Sequence, residues 1–148
     1  MELRIDEAQL DIDAADLYDD LREDDMLEIL GLMHHPRDAV YASYSSSSKC
    51  YSVKDDMNNL YCSFGVAPIE GSNIGSAWLL GTRRLPTIKK FFLKHSKERM
   101  EGLLDGFDYL TNFVMKSNTL SYRWLKWLGA EFNDCQLDGY QSFILKSK

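Results

Sequence analysis

The spacing of apolar residues changes twice along this chain, and this change restricts the fold more than any other feature. Apolar positions recur at helical intervals up to about residue 46, follow an extended pattern between Cys50 and Gly81, and become helical again after Pro86. A group of strands followed by mixed helices and strands is typical of α+β domains. Since 148 residues match the size of one domain, we predict a single α+β domain over residues 1–148.

Residues 1–48 are predicted to form an acidic, helical N-terminal part. Leu3 and Ile5 indicate a short strand. One helix is expected from about Ile12 to Leu21, with Asp11 or Asp13 near its start, and a second over Asp24–Met33, before a further helical turn at 37–44. The apolar residues of the second helix are expected to share one buried face, and they are Met26, Ile29, Leu30 and Met33.

The charge of the chain is unevenly distributed, although its net value is only −6. The first forty residues hold thirteen acidic residues against three arginines, whereas the remainder is net positive. Three interpretations stay open for the acidic part: a solvated face, a docking surface for a basic partner, or a decoy for nucleic acid.

Residues 49–81 predict antiparallel strands, and residues 82–148 predict a helix–strand–helix pattern closed by strands. The strands of the first group are expected at 50–53, 60–66 and 76–80. A long helix is expected from Pro86 to about Leu104, with its core side at Ile88, Phe91, Phe92, Met100, Leu103 and Leu104. The later elements are a strand at 109–115, a helix at 118–128 ended by Gly129, and strands at 131–132 and 141–145.

Composition excludes several classes of protein. No apolar run approaches the roughly 20 residues that a bilayer requires, and the acidic start lacks the features of a secretory signal. Cys50, Cys62 and Cys135 are odd in number and form no close pair, which predicts neither disulfides nor a zinc site. His34 and His35 have no identifiable carboxylate partners, so no metal site is predicted. We therefore expect a soluble protein of a reducing cytosol.

The segment from Asn118 to Phe132, NTLSYRWLKWLGAEF, carries the most specific pattern in the chain. Asn118 is expected to cap a helix, and Gly129 permits the left-handed conformation that ends it. One helix face is predicted at Leu120, Trp124, Trp127 and Leu128. The segment resembles the second signature of the Gcn5-related N-acetyltransferase (GNAT) fold, which it matches at Asn118, Ser121, Leu128 and Gly129. This resemblance implies a mixed, mostly antiparallel central sheet flanked by helices.

A narrower resemblance covers residues 78–145, from the strand before the long helix to the closing strands. This stretch looks like the acetyltransferase-like proteins of tailed-phage structural modules, including internal virion proteins of short-tailed phages. The resemblance implies a phage protein located in the host cytoplasm, with the virion as a second location.

The GNAT resemblance implies acetyl-CoA as cofactor, with its pyrophosphate held at the start of the long helix. The residues predicted to bind the cofactor are Gly81, Thr82, Arg83, Arg84 and Asn118. The glycine-rich loop usual in the family is absent, because Leu85 and Pro86 add bulk there and Pro86 has no amide donor. Arg83 and Arg84 are left to grip the phosphates by side chain.

No catalytic residue is predicted. Leu125 stands where many GNAT enzymes have the tyrosine that protonates the leaving thiolate, and Tyr122 points about 60° away around the helix. Glu70, a candidate base, and His95 fit solvated positions better.

The basic face of the long helix has four open interpretations: contact with an acidic partner surface, contact with nucleic acid, contact with the acidic first half of another copy, or a solvated face. The lack of regularly interleaved aromatics disfavours nucleic acid. Three functions fit the sequence. The preferred one is a phage GNAT-like protein that acts by contact with a phage structural or host protein, with oligomerisation left open. The second is an active N-acetyltransferase with an atypical loop, which predicts a cleft between strands 76–80 and 109–115. The third is an acidic inhibitor or decoy that uses residues 6–28.

Overall fold

A computed structural model describes residues 2–147, and its central feature is one seven-stranded sheet in the order β1-β2-β3-β4-β5-β7-β6. The strands are β1 (Leu3–Glu7), β2 (Lys49–Asp55), β3 (Leu60–Pro68), β4 (Ile74–Gly81), β5 (Tyr109–Met115), β6 (Glu131–Asp134) and β7 (Tyr140–Leu145). The helices are α1 (Leu10–Asp19), α2 (Glu23–Gly31), α3 (Pro36–Ser46), α4 (Lys89–Leu104) and α5 (Thr119–Leu128), and a 3₁₀ turn spans Leu85–Ile88. No helix within residues 2–147 is long and apolar enough to cross a membrane.

The sheet is antiparallel at every strand pair except β4 with β5, which run parallel. These two strands pair only at Ile74–Ser76 with Tyr109–Thr111 and then diverge toward their carboxyl ends. The expectation of a mixed, mostly antiparallel sheet flanked by helices is confirmed. The divergence also opens the cleft that was predicted between residues 76–80 and 109–115.

Helices cover both faces of the sheet because alternate strand residues point to opposite sides. On β4, Ala77 and Leu79 belong to the larger apolar cluster, which includes residues of α4 and α5. Trp78 and Leu80 belong to a second cluster, which includes residues of α1, α2 and α3. The two helical layers therefore lie on opposite sides of the sheet.

Helix α2 differs from the sequence expectation in which residues it buries. It ends at Gly31, and Met33 lies beyond the end with φ +66° and 93% exposure. Leu30 is 50% exposed, while Asp25 and Ile29 are buried. The prediction that Leu30 and Met33 face the core was wrong, because the buried side of α2 is selected by polar partners on other elements.

The two later helices follow the predicted pattern with local changes. Residues 86–88, expected to begin the long helix, instead belong to a tighter 3₁₀ turn over Leu85–Ile88 that precedes α4. Helix α5 buries Ser121, Trp124, Leu125 and Leu128, so its buried stripe is rotated relative to the prediction. Trp127, expected to face inward, is 50% exposed and its ring packs under the Lys97 ammonium at 4.7 Å. Gly129 ends the helix in the left-handed conformation, with φ 95°, as predicted.

Candidate functional site at the divergence of β4 and β5

A cavity of about 340 Å³ lies where β4 and β5 separate. Its walls come from both strands, from α2 and α3 on one side of the sheet, and from α5 on the other. Most of the lining is apolar, including Trp78, Leu80 and Trp124. The Ser121 hydroxyl also lines it, and this hydroxyl is buried without a hydrogen-bond partner. A buried donor of this kind is unusual in a folded protein and indicates a position that a ligand or water satisfies.

A buried polar network closes the carboxyl end of the gap between the strands. Arg22 donates to both carboxylate oxygens of Asp25, at 3.0 and 3.1 Å, and to the Asn118 side-chain oxygen at 2.8 Å. The Asn118 amide group in turn donates to Asp25 at 3.0 Å. Arg22 is 6% exposed, and both Asp25 and Asn118 are fully buried. Arg22 and Asp25 therefore neutralise each other inside the protein, and the neutral Asn118 side chain hydrogen-bonds to both.

The carboxylates of α2 accept hydrogen bonds from the last residue of each diverging strand. The Gly81 amide of β4 donates to Asp25 at 2.8 Å, and the Met115 amide of β5 donates to Glu28 at 2.9 Å. Strand ends that separate leave amides without ladder partners, and buried amides need acceptors. Helix α2 therefore bridges the opening at which ligands bind in open sheets with parallel strands.

Two contacts with Tyr140 hold α2 close to β7. The Tyr140 hydroxyl donates to the Glu28 carbonyl oxygen at 2.7 Å. Gly31 lies so close to that hydroxyl that a Cβ atom at this position would clash with it. The glycine therefore serves the close approach of α2 to β7, at a helix end where its cost in helix propensity is small.

Glu28 is the titratable group of this network whose ionisation is most altered. Burial, the largest cause, and the neighbouring Asp25 carboxylate together raise the pKa of Glu28 to about 7, against hydrogen bonds from Met115 and Asn118 and the charge of Arg22. A carboxyl group with this pKa changes charge near neutral pH. Burial and the Glu28 charge also raise the pKa of Tyr140.

The predicted phosphate loop, residues 81–88, has the amide donors of residues 81–87 engaged inside the protein. Each non-proline amide of residues 81–87 has an acceptor, and the pairs are Gly81 to Asp25, Thr82 to Tyr61, Arg83 to Asp20, Arg84 to the Thr82 hydroxyl, Leu85 to Thr82 and Thr87 to Arg84. Pro86 has no amide hydrogen. An anion at residues 81–87 would have to displace these bonds to reach their amides.

The structure brings together two of the five residues predicted to bind a cofactor. Gly81 and Asn118 meet through Asp25. Thr82 is buried and its hydroxyl donates to the Leu60 carbonyl oxygen at 2.8 Å. Arg83 is 79% exposed and lies 3.9 Å from Asp20, and Arg84 is exposed. The cofactor-binding role of these residues stays a prediction, but the capping role expected of the Asn118 side chain is wrong, because Arg22, Asp25 and Glu28 engage it instead.

The candidate catalytic positions offer no proton donor to the cavity. Leu125 lines the cavity and is 3% exposed. Tyr122 instead stacks on Phe132, with ring centroids 4.3 Å apart. Glu70 is an exposed turn residue, and His95 contacts the exposed Glu98. Within residues 2–147, no group of three metal-ligating side chains is assembled.

Sequence reasoning missed Arg22, Asp25 and Glu28. Their spacing of three residues was a usable signal. Arg22 directly precedes α2, and Asp25 and Glu28 follow it on the same side of the helix. Charged residues at such spacing usually lie in solvent, so the pattern alone did not distinguish a buried network from a surface.

Comparison with protein families finds a match to the family model described as "Bacteriophage T7, probable scaffold protein Gp13", over residues 62–136. The matched part contains β4, the 3₁₀ turn, α4, β5 and α5, and therefore both strands of the gap. No curated protein matches the chain.

Solved structures with the same architecture are numerous and distant in sequence. A domain from Methanocaldococcus jannaschii has a TM-score of 0.71 at 13% identity, with 99% of each chain covered. A GNAT-family acetyltransferase from Staphylococcus aureus has a TM-score of 0.68 at 9% identity, covering 99% of this chain and 100% of that one. The PaiA N-acetyltransferase from Thermoplasma acidophilum, solved with coenzyme A, has a TM-score of 0.64 at 14% identity, covering 99% and 100%. At these identities the likeness shows the GNAT fold alone.

Proposed function

From the premise that this chain belongs to the family described as the bacteriophage T7 probable scaffold protein Gp13, we propose that it acts by protein contact in the virion or its assembly. In this proposal the chain is a phage-encoded protein that keeps the GNAT scaffold and has lost or reduced acetyl-CoA chemistry. It functions in the host cytoplasm and enters particles as an internal or assembly component.

The observation that carries this proposal is the internal engagement of residues 81–87. A GNAT enzyme holds the cofactor pyrophosphate on backbone amides, and here the amides of this loop are bonded to Asp25, Tyr61, Asp20 and the loop itself. A protein under selection for contact rather than acetyl transfer has no need to keep this loop free.

Isothermal titration with CoA and with acetyl-CoA tests the loss of cofactor binding. We expect no binding heat at millimolar ligand for the wild type or for Arg83→Ala/Arg84→Ala. Micromolar binding that the double substitution weakens would overturn this part of the proposal. A thermal unfolding transition on the same samples shows that each protein is folded.

The contact role is tested in the phage that encodes the chain. Deleting the gene is expected to lower the yield of infectious particles, and supplying Arg83→Ala/Arg84→Ala in trans is expected to restore it as well as the wild type does. Normal yield without the gene would contradict an assembly role. Mass spectrometry of purified particles then measures whether the chain is retained in them.

A second candidate, an active N-acetyltransferase, is favoured by the cavity between β4 and β5 and by the unpartnered Ser121 hydroxyl within it. Thiol release from acetyl-CoA in the presence of peptide and polyamine amines tests this function. Turnover that Ser121→Ala reduces would support the enzyme, because alanine removes the hydroxyl and adds no bulk to the buried position. No turnover with any amine would leave the contact role as the function.

A further inference from the structure

Helix α2 carries an exposed stripe that combines a carboxylate with two leucines. Glu23, Leu27 and Leu30 follow one another at intervals of four and three residues, which places them on one side of the helix. Leu27 is 45% exposed and Leu30 is 50% exposed. Asp24 lies beside them and is partly exposed. Adjacent leucines on an acidic helix form a surface that is costly to leave in water and is typical of a contact.

A second apolar cavity, of about 160 Å³, lies between α4 and α5. Phe92, Leu93 and Trp124 contribute apolar walls, and Lys89 and Arg123 contribute exposed cations at its edge. In the described part of the chain, neither cation has an ion-pair partner. Apolar cavities near this size accept one ring or branched aliphatic group. The cavity therefore suits a leucine that is flanked by carboxylates.

The two surfaces lie on opposite faces of the sheet and have opposite charge. Within their bounds, α1 and α2 hold eight carboxylates and no lysine or arginine. Helices α4 and α5 hold seven lysine and arginine residues against two glutamates. Complementary charge accelerates association and sets orientation, while the apolar side chains supply the burial.

We propose that the Leu27–Leu30 stripe of one copy packs on the α4–α5 cavity of a second copy, with one leucine inside the cavity and the other at its rim, and with Glu23 and Asp24 against Lys89 and Arg123. The two surfaces of one molecule face in opposite directions across the sheet. Two molecules therefore cannot form a symmetric dimer in which each inserts a leucine into the other's cavity. The association is therefore heterologous, and repetition of it forms a chain or ring of molecules. This inference deepens and rests on the proposed contact role, since it names the partner as another copy of this chain.

Sedimentation equilibrium of the full chain at low and high salt measures the association. We expect concentration-dependent oligomers in 50 mM NaCl that weaken by about tenfold or more in 500 mM NaCl, because salt screens the charge pairs. Leu27→Ser/Leu30→Ser is expected to raise the dissociation constant by about tenfold or more. A wild type that stays monomeric at low salt and high concentration would overturn the proposal.

A charge-swap experiment tests the pairing itself. Glu23→Lys/Asp24→Lys alters one surface and Lys89→Glu/Arg123→Glu alters the other, so each variant alone is expected to be monomeric. Mixing the two variants is expected to restore association, because each then offers an intact surface to the other's intact surface. Association of either variant alone, or failure of the mixture, would contradict a heterologous contact between these surfaces.

Lys116→Glu/Lys146→Glu provides a control that matches the change in net charge of Lys89→Glu/Arg123→Glu, since Lys116 in the turn after β5 and Lys146 after β7 are exposed and lie outside both surfaces. It is expected to associate like the wild type. If it abolishes association as fully as Lys89→Glu/Arg123→Glu, net charge rather than the cavity controls assembly and the proposal fails. This experiment reports self-association only, whereas CoA titration and particle yield test the proposed function, so the two can fail separately.

Discussion

Helices α2 and α5 both border the gap between β4 and β5, but they are held there by different forces. Helix α5 buries Trp124, Leu125 and Leu128 against the larger apolar cluster. Helix α2 buries Asp25, with Arg22 at its start, and leaves Leu27 and Leu30 half exposed. Helix α2 therefore has the carboxylate of Asp25 inside and two of its leucines half outside.

This difference predicts which side of the gap responds to solution conditions. Burial of apolar area depends little on pH, so the position of α5 is constant over a wide range. The position of α2 depends on carboxylates whose charge is set by burial and by neighbours. Variants of the two helices should differ in size of effect, in additivity and in pH dependence.

The largest effect is expected at the apolar side. Trp124 is 2% exposed, its ring packs 5.6 Å from Phe92, and its indole N–H donates to Ser96 at 3.0 Å. Trp124→Ala should lower the free energy of unfolding by about 3–5 kcal/mol, because a large cavity forms and Ser96 loses its partner. Urea denaturation measures this. A loss below about 1 kcal/mol would show that α5 is not held by burial.

The second-largest loss of stability is expected in the polar network of α2. Asp25→Ala should cost about 3 kcal/mol, because Arg22 stays buried without its carboxylate and the Gly81 amide loses its acceptor. The remaining bond from Arg22 to Asn118 limits the loss. Arg22→Ala/Asp25→Ala should cost less than the sum of the single changes, since it removes both charges. Additive losses would contradict mutual neutralisation.

The pH dependence of stability isolates Glu28. The pKa of Glu28 is about 7 in the folded protein against 4.5 ordinarily, so the folded state binds the proton more tightly. Its contribution to stability is therefore fully present below about pH 4.5 and is lost as pH rises to about 7, by on the order of 2 kcal/mol. Glu28→Gln should remove this fall, measured as the difference between wild type and variant from pH 4.5 to 8.

The difference between the two pH profiles cancels the contributions of titratable groups that wild type and variant share. Asp55 lies outside the window: burial raises its pKa, but hydrogen bonds from Asn59, Met57 and Tyr61 lower it to about 2. Its contribution is present above its ordinary pKa of 3.8 and is lost only as pH falls toward 2. An identical pH profile for Glu28→Gln and wild type would show that Glu28 does not titrate in this range.

The smallest effect is expected at Trp127, on the outer side of α5. Trp127 is 50% exposed, contacts Lys97 through its ring, and donates to the Leu93 carbonyl oxygen at 3.0 Å. Trp127→Ala should cost under about 1 kcal/mol. Thermal unfolding of this variant beside Trp124→Ala compares two tryptophans of one helix. Equal losses would show that burial does not distinguish them.

The sequence predicted most helices and strands and the gap between β4 and β5, but little of the buried polar network at that gap. The pattern at 118–128 identified α5, and Gly129 identified its end. Pro86 identified the 3₁₀ turn that leads into α4 as the start of a helical segment. The gap between the strands at 76–80 and 109–115 was also anticipated. Missing from the prediction was the role of α2, because Asp25 and Asn118 are separated by 93 positions along the chain.

What the sequence determined by itself is the local pattern: apolar spacing that distinguishes helices from strands, residues that end them, and a loop at 81–88 without closely spaced glycines. Only the tertiary structure decided that α2 turns carboxylates inward and leucines outward. The reason is that β4 and β5 diverge, so the amides of Gly81 and Met115, buried and partly buried, lack partners across the gap. Their need for acceptors, together with the buried charge of Arg22, sets the orientation of the helix more strongly than its own apolar residues do.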